Sequence, residues 1–100
     1  MVILRFKIHS KSDKSDELLA ALAQIITPAR ATEGVINFDI ARVLSDPDWF
    51  IATAVYADGA ALERQESLPE VHRVMAMLPD SLVTPPERTI YDASLAPTLV

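Results

Sequence analysis

The apolar residues of this chain recur at two spacings, and the order in which those spacings alternate is the strongest constraint on its fold. Val2, Leu4, Phe6 and Ile8 share one parity while Arg5, Lys7 and His9 share the other. This is the period-two pattern of a strand with one apolar face. Ser10 to Ser15 is polar and offers several N-caps. Leu18, Leu22, Ile25 and Ala29 then recur at helical spacing, with Leu19 and Ile26 widening the stripe. Asp16 and Glu17 near the start and Arg30 near the end suit the helix dipole. Pro28 kinks the last turn or ends the helix, and Gly34 suits a left-handed C-terminal position.

Period two returns over Val35 to Leu44, where Ile36, Phe38 and Ile40 oppose Asn37 and Asp39. Ser45-Asp46-Pro47-Asp48 is a turn signal. Trp49 to Ala57 reads as a third strand, making a hairpin with a loop of about four residues. Asp58 caps a short helix, Gly59 to Glu66. Ser67-Leu68-Pro69-Glu70 reads as a capping box with Pro just inside, opening a helix whose apolar face is Val71, Val74, Met75 and Leu78 and which Pro79 stops. After Pro85-Pro86, Glu87 to Ala93 is a last strand. The order strand, helix, strand, strand, helix pair, strand predicts an α+β, ferredoxin-like domain over 1–93: a four-stranded antiparallel sheet with helices on one face. Residues 94–100 form a C-terminal tail without assigned structure.

Helices cover only one face of such a sheet. The other face carries Ile3, Val35, Ala41 and Val43 and some of Ile51, Val55 and Tyr91, which predicts a two-fold homodimer with the sheets facing each other. A chain of 100 residues has a modest core and gains from a partner. A net charge of −5 argues against nucleic acid and against anionic membrane surfaces. The first strand is neither a signal peptide nor a membrane span. The absence of cysteine excludes disulfides, thiolate ligands and thiol catalysis, and is compatible with the cytoplasm. Two histidines at unrelated positions give no metal-ligand spacing, and two glycines allow no phosphate loop.

The element order, the stretch Pro28-Ala29-Arg30-Ala31-Thr32-Glu33-Gly34-Val35, Asp46-Pro47 in the hairpin, Tyr56-Ala57-Asp58-Gly59-Ala60-Ala61-Leu62 and Pro69 together resemble the antibiotic-biosynthesis-monooxygenase domain of the dimeric α+β barrel superfamily. The resemblance runs from Val2 to Ala93. It implies a homodimer and, for some members, oxidation of phenolic or quinol-type aromatics by molecular oxygen with no metal or flavin. Members often carry a Glu where this chain has Ala54 and a His where it has Gln65. The haem-degrading branch uses an Asn and a His at positions that align with Phe6 and Met75, so haem degradation is not expected.

On this resemblance the expected function is cofactor-independent monooxygenation of a quinol or polycyclic phenol. The partners are a small aromatic molecule and oxygen, and no cofactor or metal is expected. Tyr56 by family position, Gln65 by replacement of the usual His, and His72 are the candidate catalytic residues. His72 stands one position off its helix's apolar stripe, which points it outward, but histidine titrates nearest neutral pH. Phe6, Phe38, Phe50 and Met75 are candidate pocket walls, between the sheet and the helices Gly59–Glu66 and Pro69–Leu78. The alternative is a non-catalytic dimeric module that binds a small apolar ligand or a partner protein; a polar-lined cavity of at least about 300 Å³ between sheet and helices favours these two readings, and a packed core favours a purely structural dimer. Arg5, Lys7 and His9 form a basic stripe balanced by Asp39, Gln65 is a partner for a buried Tyr56, and Trp49 is a surface or dimer-contact residue.

Overall fold

A computed structural model describes residues 1–96. The elements are β1 (Val2–His9), α1 (Ser15–Arg30), β2 (Val35–Val43), β3 (Asp46–Tyr56), α2 (Gly59–Glu66), α3 (Pro69–Ser81) and β4 (Glu87–Asp92). The sheet is antiparallel, four-stranded and ordered β2-β3-β1-β4. This is the ferredoxin-like α+β fold. Of the expected tail, 97–100 lies outside the described residues; Ser94 to Ala96 has no regular structure.

The core is the meeting of the two predicted apolar patterns. Leu4, Ile8, Phe38, Phe50, Ala54 and Tyr56 are buried on one side of the sheet. Leu18, Leu22, Ile25 and Ala29 of α1, Ala61 and Leu62 of α2, and Val74 and Leu78 of α3 close over them. Each such large aliphatic or aromatic side chain contributes about 1.5–3 kcal/mol by leaving water. Leu19, at the edge of the α1 stripe, is exposed.

Several local features depart from the sequence pattern. Val35 pairs with Tyr56 and Asn37 with Val55, so Ile36 is an extra residue in a β-bulge. The bulge turns Val35 toward the core and leaves Ile36 exposed, opposite to the plain alternation. The hairpin turn is Leu44-Ser45, and β3 begins at Asp46, earlier than expected. Val43 pairs with Asp46 but Arg42 pairs with Phe50, so Pro47 to Trp49 bow out of that ladder. The bow is held: the backbone N–H of Asp48 donates to Asp46 Oδ1, and the Asp48 carboxylate accepts from Ser15 Oγ at the start of α1.

Asp58 caps α2 by accepting from the Ala61 N–H, as the pattern predicts. The capping box at Ser67–Glu70 does not form. Ser67 Oγ donates to the Glu63 carbonyl and so belongs to the end of α2, while Leu68 takes the N-cap of α3 and Pro69 its first turn. Pro28 and Pro79 both lie inside their helices. Proline's φ is helical and each costs one backbone bond; α3 continues past Pro79 to Ser81 because the Leu82 N–H still reaches the Leu78 carbonyl. Gly34 has φ +84°, but it lies beyond the α1 cap at Ala31, in the turn into β2.

The uncovered face of the sheet carries Ile3, Val55 and Tyr91 in one register row, with Arg5, Lys7, His9 and Trp49 further along. His9 stacks on Trp49 with centroids 4.3 Å apart, and Lys7 Nζ lies 4.6 Å from the same ring. Asp39, expected to balance this basic stripe, instead pairs with Arg30 of α1. No described helix is long and apolar enough to cross a membrane.

Candidate functional site

The site lies between the helix-covered face of the sheet and α1, α2 and α3. The sheet supplies Leu4, Phe6, Phe38, Ile40 and Ala52; the helices supply Leu22, Ile25, Val71, Val74 and Met75. Period-two alternation brings the sheet residues to one face, and helical periodicity brings the others down onto it. They enclose a cavity of about 80 Å³. Among the described residues its polar groups come from two places: Gln65 and Glu66 at the end of α2, and Arg88 on β4.

Gln65 is nearly fully buried, and its side-chain carbonyl accepts a hydrogen bond from the Tyr56 hydroxyl. With the carbonyl engaged, the amide NH₂ is what Gln65 can present to the cavity. Tyr56 is buried behind Gln65 and is not itself a wall. Burial pushes its phenol well above the ordinary value; the Glu66 carboxylate adds to the rise, and the Arg88 guanidinium works against it. Tyr56 therefore stays neutral at physiological pH and acts as a donor that holds Gln65. The Arg88 guanidinium, set opposite Phe6 by the β1–β4 register, pairs with Glu66 at the cavity mouth.

Of the expected catalytic residues, the fold brings Tyr56 and Gln65 together and leaves His72 exposed on α3, away from the cavity lining. Of the expected walls, Phe6, Phe38 and Met75 line the cavity; Phe50 is buried elsewhere, beneath the Arg42 guanidinium. Sequence reasoning missed Glu66 and Arg88. The one available signal was parity, since Arg88 and Ile90 share a face of β4 with Leu4 and Phe6 across the ladder.

A second, wider cleft of about 440 Å³ runs along Met75, Leu78, Pro79 and the segment 82–86. Among the described residues that line it, none has an ionisable side chain. Met75, half-exposed, lines both spaces. Among the described residues no three His, Asp or Glu side chains converge to hold a metal ion.

Fold and cavity together define a ferredoxin-like domain with an apolar pocket between sheet and helices and a short polar edge at its mouth. The sequence profile of the antibiotic biosynthesis monooxygenase family matches residues 1–77, and the chain belongs to that family. The uncharacterised protein sll1783 of Synechocystis is 28% identical over 98 residues, a match that covers 98% of this chain and 67% of that protein. Among solved structures, a candidate antibiotic biosynthesis monooxygenase of Deinococcus radiodurans superposes with a TM-score of 0.87 at 24% identity, covering 100% of this chain and 99% of that one. Rv0793 of Mycobacterium tuberculosis superposes with a TM-score of 0.86 at 21% identity, covering 97% and 98%. At these identities the structural likeness speaks to the fold.

Proposed function

We propose that the protein is a monooxygenase that uses no cofactor and acts on a quinol or polycyclic phenolic aromatic. The observation that carries this reading is the arrangement of the cavity: apolar walls from β1, β2, β3, α1 and α3, and one buried amide, fixed by Tyr56, next to a carboxylate–guanidinium pair. Oxygenation of an activated aromatic methylene converts CH₂ and O₂ to C=O and H₂O, with the substrate supplying all four electrons. Such a reaction begins from an electron-rich anion. A protein assists by excluding water and by presenting donors to the anionic oxygen, a role this reading assigns to the Gln65 amide and Arg88.

The cavity is smaller than the roughly 150 Å³ that accepts benzene in an engineered core. A polycyclic substrate therefore requires Met75 to swing aside and join the cavity to the outer cleft. Methionine, unbranched and flexible, suits that role. The same small volume favours a second reading, a non-catalytic module that binds a small apolar ligand or a partner protein.

The proposal includes a homodimer formed through the uncovered sheet face, supported by the row Ile3, Val55 and Tyr91, and a cytoplasmic location, supported by the cysteine-free composition. The test is oxygen consumption with anthrone and quinol substrates, with ¹⁸O₂ used to follow one oxygen atom into the product. Turnover that falls in Gln65→Ala supports the reading. Tight binding of the same aromatics without oxygen uptake supports the second reading, and neither binding nor uptake removes both.

A further inference from the structure

Gln65 cannot accept a proton at neutral pH, and His72 stands away from the cavity. If the pocket ionises a phenol, the base must be another group. The lining residues from β1, β2, α1 and α3 are all apolar: Leu4 and Phe6, Phe38 and Ile40, Leu22 and Ile25, and Val71, Val74 and Met75. Among the described residues, the ionisable groups that face the cavity reduce to Glu66 from α2 and Arg88 from β4, with the Tyr56 phenol of β3 behind Gln65.

We propose that Glu66 is the general base of this pocket, and that Arg88 passes from Glu66 to the phenolate as its counter-ion. In the resting site the carboxylate is held against the Arg88 guanidinium. A phenol whose hydroxyl reaches this pair gives its proton to Glu66: the phenolic O–H bond breaks and a carboxylic O–H bond forms. Glu66 becomes neutral and releases Arg88, which then faces the new phenolate together with the Gln65 amide.

Before and after the transfer the site holds one positive and one negative charge. The transfer moves the negative charge from the carboxylate to the phenolate and keeps it beside Arg88, so no unpaired charge forms next to the apolar walls. A carboxylic acid and an ordinary phenol differ by about six pKa units in free solution, so the pocket takes phenols or enols more acidic than phenol itself, and the Arg88 and Gln65 donors stabilise the anion that forms. Glu66 and Arg88 line the same cavity as Gln65, whose amide the Tyr56 hydroxyl holds in place. The substrate class follows: a flat aromatic with one ionisable phenol or enol hydroxyl and no fixed charge, since the remaining walls offer no second partner. This rests on the oxygenase reading only for the fate of the phenolate after it forms.

The experiment is anaerobic titration with 4-nitrophenol, below the pH at which the free phenol ionises, read by the phenolate absorption band. Calorimetry in buffers of different ionisation enthalpy counts the protons released. The wild type should bind the probe as phenolate and release about none, because the proton stays on Glu66. Glu66→Gln should retain the band but release about one proton per site. Arg88→Met should bind the neutral phenol without the band, and Arg88→Lys should restore it. With a turned-over substrate, Glu66→Gln should slow the reaction by about 100-fold or more.

A neutral-phenol spectrum in the wild type, no binding at all, or equal proton counts for wild type and Glu66→Gln overturns the proposal. The phenolate band without any oxygen uptake sustains the proposal and removes the oxygenase reading. Oxygen uptake that is unchanged in Glu66→Gln does the reverse.

Discussion

The hydroxyl of Tyr56, at the end of β3, donates to the side-chain carbonyl of Gln65 on α2, and both side chains are buried. Neither group has water to fall back on, so the pair is a positional device. Tyr56→Phe should leave the Gln65 carbonyl unpaired and cost about 1–3 kcal/mol. At about 4–8 °C per kcal/mol for a domain this size, a thermal melt resolves the loss.

The same tyrosine sets an alkaline limit. Its phenol is raised above the ordinary value of 10.0, so the folded state keeps a proton that the unfolded state gives up. This stabilisation is complete below about pH 10 and is lost as pH climbs from there toward the folded-state value. Denaturant midpoints should fall above about pH 10 in the wild type, and Tyr56→Phe should lack that portion of the decline.

Gly34 fixes how close α2 comes to the start of β2. A Cβ at this position would lie 2.6 Å from Ala61 Cβ, and its φ of +84° is unfavourable for any residue with a side chain. The neighbouring Glu33 carbonyl accepts from the Arg64 guanidinium, and the Gly34 carbonyl from the Ala57 N–H. Gly34→Ala should destabilise the fold by about 1–3 kcal/mol. Because the displaced helix carries Gln65 and Glu66, the variant should also weaken ligand binding at temperatures where it remains folded. Denaturation and binding titrations at low temperature separate the two effects.

Met75 lines both the inner cavity and the outer cleft. Met75→Ala should join them and strengthen the binding of polycyclic aromatics relative to single-ring ones. Since the side chain is 46% exposed, the stability cost should be below the roughly 2–5 kcal/mol of a core truncation. Paired titrations with a one-ring and a three-ring phenol test this. Equal affinity ratios in wild type and variant would contradict it.

On the uncovered face, Val55 stands between Ile3 of β1 and Asn37 of β2. If this face joins two copies, Val55→Lys should convert a dimer to a monomer in light scattering. The single tryptophan, Trp49, lies on the same face beside His9 and Lys7, so its emission should shift to the red on dissociation. A wild type that is monomeric at micromolar concentration would rule the interface out.

The fold was legible because its core is periodic: Leu4 and Ile8, or Leu18, Leu22 and Ile25, advertise their faces through spacing alone. The bulge at Ile36 was not, because one extra residue inverts the parity of what precedes it, and nothing in Val35-Ile36-Asn37 favours one alternation over the other. Ser67 looked like a cap because its spacing from Glu70 fits, yet the same hydroxyl had a nearer acceptor in the turn it closes. The partnership of Tyr56 with Gln65 is short in sequence and was anticipated. That of Glu66 with Arg88 spans 22 positions, and neither residue breaks an apolar pattern, so only the register of β4 on β1 reveals it.

That register has an energetic consequence. Among the described residues β4 is an edge strand, bonded only to β1 and exposed along all six of its residues. Segments with so little burial open with a free energy far below that of global unfolding. Arg88 thus rides on one of the least protected parts of the sheet, while Gln65 is anchored in the core. The charged half of the site can come apart while the buried half stays assembled, so mild warming should silence the pocket before it melts the protein, and should do so reversibly.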